Sequence, residues 1–419
     1  MKPAIAGLVL CAPFLPAQPL TVDDCIRRAL AVSSPVTVAR QERDIAARGV
    51  TAARSGFLPQ SAVNLATTYN SPSLLNRSTF SFVALNGIRE YSGLVAILQE
   101  IDTSGRVRAE YARSKAAQDA ALAGVALAER DLKRAVVASY YRLLLARHLS
   151  AAFDALVTES ESFEQRTRLL AQQGEAAQAD VVKASAQTLN LRQARQAAGL
   201  AADLANQDLA SYWTADVQQP LDIVDLFDQP LPAPEPAAAD AAPYLRRFEF
   251  RIFDAQQRAL QADTKVARSA LLPKLGLAFE YGLDENTVAW NRRGYAAIAS
   301  LNLTVFDWFR SLSAVRQAQS RVQQNQATRA IAERAFSREY QSALTRVRRV
   351  FEQVDLARRQ VELAEQDVKL SRVRYEGGEG AAVDVVVSQN QLASARSSYY
   401  SAIADYFTAR WELEVAAGR

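Results

Sequence analysis

The sequence predicts a mainly α-helical chain with a small β part, in which duplicated long antiparallel coiled-coil helices are combined with two β-hairpins. Three observations support this fold class. Two motifs occur twice, in the same order. Long stretches carry apolar residues at alternating steps of four and three, and short segments alternate between apolar and polar residues. With only 16 Gly and 14 Pro in 419 residues, helix should dominate.

The duplication is the strongest signal in the sequence. Residues 53–59 (ARSGFLP) return as residues 267–273 (ARSALLP), and residues 174–182 (GEAAQADVV) return as residues 378–386 (GEGAAVDVV). Low-complexity helices could produce one such match by chance, but two ordered matches at nearly equal offsets indicate two copies of one unit. Each copy contains a helix ending at Leu-Pro, a segment able to form two strands, and a very long helix interrupted near a glycine.

This duplication divides the chain. Between the copies, closely spaced prolines exclude a regular helix and predict an extended surface connector. The predicted segments are a signal peptide at 1–17, a first structural repeat at 18–213, a Pro-rich connector at 214–243 and a second structural repeat at 244–419.

The first residues resemble a short export signal with a small-residue cleavage site. A cytosolic start remains the alternative, because Gly7 and Pro13 interrupt the apolar run. Cys11 would leave with the signal, so Cys25 would stand alone, most simply as a small buried apolar residue. No later segment approaches the ~18–20 uninterrupted apolar residues of a membrane-spanning helix.

The long helices show the clearest periodicity. Their apolar positions follow a repeat of 3.5 residues, which is buried only when helices supercoil around neighbours. At 1.5 Å per residue, the stretches 107–170 and 312–375 would each extend roughly 95 Å. Glycines then end each helix, and Ala-rich return helices double back along residues 180–212 and 384–411. In the second copy the seam contains Tyr340, Leu344, Val347, Phe351 and Val354.

The strand candidates are about ten residues long and alternate with a period of two, as in a sheet with two different faces. Each copy supplies two of them, joined as a hairpin. The predicted strands are residues 61–70, 91–101, 274–282 and 294–306.

Four strands in lipid cannot close alone, because an unpaired sheet edge leaves backbone groups without partners at several kcal/mol each. Two copies would give eight strands and an interior filled by side chains, whereas three copies give twelve strands with room for a lumen. The strand count therefore favours a trimeric 12-stranded β-barrel continued by a helical barrel on the cell side.

One motif gives a specific resemblance. The sequence Arg374-Tyr375-Glu376-Gly377-Gly378, followed by Asp384-Val385 and set within the duplicated pattern, resembles the TolC-like outer-membrane efflux family over nearly the whole mature chain. The resemblance implies a homotrimer in outer-membrane lipid, with its helical part in the periplasm. It also implies docking onto a periplasmic adaptor protein and, through it, an inner-membrane pump, for efflux or type I secretion.

The resemblance also indicates site residues. It implies an entrance shaped by Asp180, Tyr375 and Asp384 that opens when the tip helices rotate outward, although the two aspartates could equally be simple helix caps. The tip turns, at about 172–179 and 376–383, would contact the adaptor through Gly174, Glu175, Gly377, Gly378 and Glu379.

Several positions depart from the family pattern, among them Ala177 and Ala381, which replace a hydroxyl residue often found three places after the tip glycine. Val387 and Lys183 stand where a second acidic ring would lie, and Gly380 stands where the gating arginine would lie. The sequence therefore leaves open how the entrance is held closed, and it puts strong cation selectivity in doubt.

Other functions find little support. The single His148 lies between Arg147 and Leu149 with no nucleophile to orient, so no enzyme is expected. One His and one Met argue against a metal site, and no cofactor is implied. The 49 basic and 45 acidic residues are interspersed, which argues against nucleic-acid binding. A soluble coiled-coil scaffold or adaptor remains the alternative, and the substrate, whether drug, metal ion or protein, stays undetermined.

Overall fold

The computed structural model describes residues 19–32, 34–71, 89–234 and 242–419. The predicted signal peptide lies outside these residues, as do residues 72–88 in the loop of the first hairpin and residues 235–241 of the connector.

Seven α-helices and two short 3₁₀ turns are found in this described part of the chain. The 3₁₀ turns are Pro243–Arg246 and Trp290–Arg292. The helices are α1 (Val22–Ala31), α2 (Pro35–Ser55), α3 (Arg106–Gln172), α4 (Gln178–Ala210), α5 (Phe248–Ser269), α6 (Arg310–Glu376) and α7 (Ala382–Ala416). Helices α3 and α6 are each 67 residues long. The predicted long helices are therefore confirmed, and no helix among the described residues is both long and apolar enough to cross a bilayer.

Four strands form one antiparallel sheet in the order β1-β2-β3-β4. They are β1 (Gln60–Tyr69), β2 (Arg89–Ile101), β3 (Lys274–Glu285) and β4 (Gly294–Asn302). The two predicted hairpins, β1-β2 and β3-β4, are present, and the chain adds a pairing of β2 with β3 that joins the two copies. With this sheet and the long helices, the predicted fold class is confirmed.

Strand β4 is shorter than predicted. The alternation of apolar and polar residues predicted a strand over residues 294–306, but β4 ends at Asn302. Lys274, the first residue of β3, pairs with Asn302. The residue before it, Pro273, has no backbone N–H to donate, so the residues beyond Asn302 have no strand partner in the part of the chain that the structure describes.

The sheet has two different faces. One row across all four strands consists of Val63, Val95, Tyr281 and Tyr295, which are register partners. The adjacent row on the opposite face consists of Ala62, Ala96, Glu280 and Ala296. In these rows the first face carries large side chains that are exposed or partly exposed, and the second carries small and polar ones. Elsewhere the second face also carries Leu98 and Ile298, which are exposed.

The chain divides into two compact units, of which the second contains the sheet. It comprises Val38–Ala128 and Leu245–Phe336. All four connections to helices leave the same end of the sheet, since β1 and β3 follow α2 and α5, and β2 and β4 precede α3 and α6.

The first unit comprises Met1–Thr37, Glu129–Tyr244 and Ser337–Arg419. Here the long helices pack through apolar residues of all four, in a cluster formed by Leu156, Val157, Leu191, Ala364, Val368, Leu392 and Ala395. Cys25 on α1 is fully buried, and this burial raises the pKa of its thiol to about 11.

Side chains of α3 hold the connector within this unit. The Tyr140 hydroxyl donates to the carbonyl oxygen of Val224 at 2.8 Å and lies 3.2 Å from the carbonyl oxygen of Leu20. His148 contacts Asp225 at 2.8 Å, and its ring stacks between Phe227 and Tyr400. The single histidine thus fastens the connector to the helices.

Equivalent ion pairs support the duplication at the level of contacts. Arg192 on α4 reaches Glu161 on α3 at 2.6 Å. In the second copy, Arg396 on α7 reaches Glu365 on α6 at 2.8 Å. The same pair of residue types therefore joins the two helices of each copy at corresponding positions.

Glycine makes the pairing of β2 with β3 possible. Gly282 has a φ of +156°, and a Cβ added there would lie 2.0 Å from the carbonyl oxygen of Gly93. Backbone atoms cannot yield in the way that a flexible side chain does, so the two copies meet where only glycine fits.

We predict that Gly282→Ala separates β2 from β3 and strongly reduces the yield of folded protein. Gly294→Ala is a matched control, because Gly294 is the register partner of Gly282 on β4 and has no atom within 4 Å of an added Cβ. Heat-modifiable migration in gel electrophoresis would measure folding. Equal folded yields of the two variants would contradict the conclusion that the pairing of β2 with β3 requires glycine at position 282.

Candidate functional site

The two tip turns close in the same way. In the first, Gly174 has a φ of +79° and Glu175 N–H donates to the carbonyl of Leu170 at 2.9 Å. In the second, Gly378 has a φ of +78° and Glu379 N–H donates to the carbonyl of Arg374 at 2.9 Å. A left-handed glycine followed by such a hydrogen bond caps the C-terminus of a helix, so glycine is required at both turns.

The second turn explains why a large side chain is missing at Gly380. Its N–H donates to the carbonyl of Arg374 at 3.0 Å. A Cβ at this position would lie 3.1 Å from the backbone nitrogen of Tyr375 and 3.2 Å from the carbonyl carbon of Arg374. An arginine at this position would therefore require the turn to shift.

The two aspartates begin the return helices but have different surroundings. Asp384 is exposed and accepts a hydrogen bond from the N–H of Ala381 at 3.3 Å, which caps α7. Asp180 is half-buried, and its carboxylate lies 3.5 Å from the ammonium of Lys183. Asp384 forms no ion pair with any residue that the structure describes, so the two acidic positions are not electrostatically equivalent.

Tyr375 lies inside the tip rather than on its surface. Its ring packs edge-on against Phe163 with ring centroids 5.3 Å apart. Ala184, Ala382 and Val385 complete the same buried cluster. The Tyr375 hydroxyl is buried and has no hydrogen-bond partner among the described residues. Such an unmade bond costs about 1–3 kcal/mol.

Sequence reasoning missed a set of buried polar residues behind the tip. The hydroxyls of Ser160 and Thr188 are 3.0 Å apart, and the Gln187 amide donates to Asn390 Oδ1 at 2.8 Å, which links α4 to α7. Thr167 Oγ1 and Gln389 Oε1 are buried without partners in the described part of the chain. The sequence does contain a signal for these buried polar residues, because Ser160 and Thr167 occupy positions of the apolar repeat of α3.

Among the described residues, no group of three or more His, Cys, Asp or Glu side chains could hold a metal ion. At the tip, the carboxylate of Asp180 is paired with Lys183, whereas that of Asp384 caps a helix without an ion pair among the described residues. Some buried polar atoms of the tip interior have no hydrogen-bond partner there.

Long antiparallel helices together with a small antiparallel sheet are the fold of the outer-membrane channels of the TolC-like type. The outer membrane efflux protein family matches residues 25–215 and 244–419. This chain belongs to that family.

A curated relative is the Nodulation protein T of Rhizobium leguminosarum bv. viciae. It is 28% identical to this chain over 176 residues, which are 41% of this chain. The matched segment spans only 36% of the length of that relative.

Solved structures match almost the whole fold. The CmeC outer membrane channel of Campylobacter jejuni has a TM-score of 0.86 and 16% identity, covering 95% of this chain and 85% of its own. The outer membrane protein VceC of Vibrio cholerae has a TM-score of 0.81 and 16% identity, and the match covers 95% of this chain and 96% of VceC. The open state of the MtrE outer membrane channel of Neisseria gonorrhoeae has a TM-score of 0.81 and 19% identity, and the match covers 95% of this chain and 88% of MtrE.

Family membership confirms three predictions. The chain is a transport protein rather than an enzyme, it resides in the bacterial outer membrane, and its helical part lies in the periplasm. A channel subunit of the outer membrane is not a soluble scaffold, so that alternative is excluded.

We predict that Tyr375→Ala loosens the tip whereas Tyr375→Phe does not. Removing a buried aromatic ring costs about 3–5 kcal/mol, while the phenylalanine keeps the ring and loses only an unpaired hydroxyl. Hydrogen exchange at residues 160–190 and 370–392 measures the effect, and we expect exchange to accelerate at least tenfold for the alanine variant alone. If phenylalanine were as disruptive as alanine, the hydroxyl would have a partner in the assembled protein.

Proposed function

We propose that this chain is one subunit of a homotrimeric duct through which substrates leave the cell passively, after an inner-membrane pump and a periplasmic adaptor have delivered them. The observation that carries the proposal is the open four-stranded sheet. Its edge strands β1 and β4 each have one side without a strand partner among the described residues.

The sheet topology supports closure by copies of the same chain. Consecutive strands are antiparallel, so β1 and β4 run in opposite directions. The β4 edge of one copy can therefore continue in antiparallel pairing with the β1 edge of the next. Three copies of four strands make twelve, which is enough to close a barrel around a lumen and leave no backbone group unpaired in lipid.

The helices of the first unit carry unpartnered apolar stripes of their own. On α6, Leu356, Leu363 and Leu370 recur at heptad spacing, and each is more than 60% exposed. On α4, Val182 and Leu189 recur at the same spacing and are equally exposed. Heptad stripes are buried by partner helices, and two different stripes on one chain suit a head-to-tail ring.

The tip turns are the proposed adaptor contacts. Gly174, Glu175, Gly377, Gly378 and Glu379 are exposed, and both turns have the same backbone geometry. Six such turns in a trimer would offer a repeated surface to helical hairpins of an adaptor. Glu175 and Glu379 make that surface acidic, so basic residues on the adaptor should face them.

The entrance is proposed to lie at the start of the return helices. Asp384 would present an uncompensated charge three times around the axis, and mutual repulsion would favour outward rotation of the tips. Lys183 moderates the charge of Asp180. Tyr375 would act from inside, since its packing on Phe163 fixes the angle between the helices that have to move.

We predict that Asp384→Ala changes channel behaviour more than Asp180→Ala does. Single-channel recording of the purified protein in planar bilayers should show that the cation preference falls by roughly twofold or more for Asp384→Ala, because an unscreened ring of charge is lost. Asp180→Ala is the matched control, as its charge is already offset by Lys183.

Two outcomes would count against the proposal. Unchanged conductance and ion preference in Asp384→Ala would place the entrance elsewhere. Absence of any channel from the unmodified protein would overturn the duct itself.

A further inference from the structure

The apolar core near the tip turns is divided in two. Helices α3, α4, α6 and α7 all contribute to both parts, which form separate clusters in the first unit. The shaft cluster consists of Leu156, Val157, Leu191, Ala364, Val368, Leu392 and Ala395. The tip cluster consists of Phe163, Ala184, Tyr375, Ala382 and Val385. The four helices run without a break from one cluster to the other, so the division arises from side chains and not from the backbone.

Buried polar side chains fill the level between the two clusters. We call them the polar layer, and each is at most 2% exposed: Ser160 on α3, Gln187 and Thr188 on α4, and Ser388 and Gln389 on α7. Each lies three or four residues from a member of the tip cluster and from a member of the shaft cluster on its own helix. On α6 the half-buried Ser371 has the same spacing. The polar layer is therefore one helical turn thick.

The hydrogen bonds of the polar layer leave it less cohesive than an apolar layer would be. The hydroxyls of Ser160 and Thr188 are 3.0 Å apart. Those of Thr188 and Ser388 also donate to carbonyl oxygens one turn earlier on their own helices, at 3.1 and 2.9 Å, a contact that favours helix bending. The buried Gln389 Oε1 has no hydrogen-bond partner among the described residues, and an unmade bond of this kind costs stability.

Two hydrogen bonds join the helical hairpin α3-α4 to the hairpin α6-α7 at or beside this level. The Gln187 amide donates to Asn390 Oδ1 at 2.8 Å, and the Arg372 guanidinium donates to Ser162 Oγ at 3.2 Å. The first links α4 to α7, and the second links α6 to α3. Both hairpins are thus held to one another next to the polar layer, while their ends lie beyond it.

We propose that the polar layer is the pivot of the tip, at which the tip cluster loosens and repacks while the shaft cluster stays closed. Because the apolar contacts are not continuous across the polar layer, loosening the tip does not open the shaft. A unit bounded in this way opens at the cost of its own contacts alone. The inference deepens the proposed entrance by locating where its motion ends, and its consequence for conduction rests on the proposed duct.

Hydrogen exchange of the full chain in detergent tests the boundary directly. Helical residues 163–170 and 181–185 should exchange at least tenfold faster than residues 150–157 and 191–198, with the step at the polar layer. The second hairpin should show the same step between residues 371–375 and 361–368. Exchange that slows gradually away from the tip turns, with no step at the polar layer, would overturn the proposal.

Apolar substitutions in the polar layer should fuse the two clusters. The variant combines Ser160→Ala, Thr188→Val and Gln389→Leu. Replacing both partners of a buried hydrogen bond by apolar groups of similar shape is tolerated, and the leucine removes an unpaired oxygen. We expect exchange in the tip helices to slow at least tenfold and exchange in the shaft to stay unchanged. Thr158→Val with Gln391→Leu is the matched control, because it makes similar changes at exposed positions of α3 and α7 and should alter neither.

Two outcomes with the variant would overturn the proposal. Unchanged exchange at the tip would show that the polar layer does not divide the core. Faster exchange throughout both hairpins would show that it fixes the pairing of the helices, as buried polar residues do in some coiled coils. If the triple variant does not accumulate, Ser160→Ala with Thr188→Val makes the same test, with a slowing of about threefold expected.

Single-channel recording in planar bilayers tests the consequence for opening. The triple variant should open several-fold less often than the parent protein, with the same conductance once open, because its tip is tied to the shaft. A parent and a variant that open equally often would overturn the pivot and leave the duct intact. Absence of any channel from the parent protein would overturn the duct, whereas the exchange pattern decides the pivot without reference to conduction.

Discussion

The backbone groups along the outer edges of β1 and β4 impose the constraint on which the rest of the protein depends. In water these groups would bond to solvent, but in a bilayer each unpaired group costs several kcal/mol. A sheet of four strands has two such edges and cannot close on itself. In the proposed duct, other copies of the chain complete the wall and pair these edges.

Duplication supplies the economical route to that sheet. Each repeat contributes one hairpin and one pair of long helices, and the repeats are joined where Gly282 lets its backbone approach the carbonyl of Gly93 closely. The same ion pairing recurs in both copies, through Glu161 with Arg192 and Glu365 with Arg396. The two repeats have diverged, because the first carries Lys183 near its tip and the second carries Trp308 and Phe309 with positive φ before α6.

Local signals predicted the helices, the hairpins and the tip glycines, because heptads, alternation and left-handed caps are each encoded within a few residues. The pairing of β2 with β3 and the burial of Tyr375 depend on residues far apart in sequence, and no short pattern reports them. The same holds for the contact of Gln187 with Asn390. Nothing in the sequence around Trp308 and Phe309 indicated a left-handed backbone, since bulky residues normally exclude it.

The most direct test of the proposed barrel is a disulfide between β1 of one chain and β4 of a neighbouring chain. Within a single chain these two strands are three strand spacings, about 14 Å, apart, which is too far for a disulfide. With Cys25 replaced by Ala, Asn64→Cys would be combined in turn with Ala296→Cys, Ile298→Cys and Ser300→Cys, all on the same face of the sheet. Oxidation in the membrane should give covalent dimers and trimers, and nothing larger, for at least one pair. A chain that stays monomeric with every pair, or that forms assemblies beyond three copies, would contradict a barrel closed by three subunits.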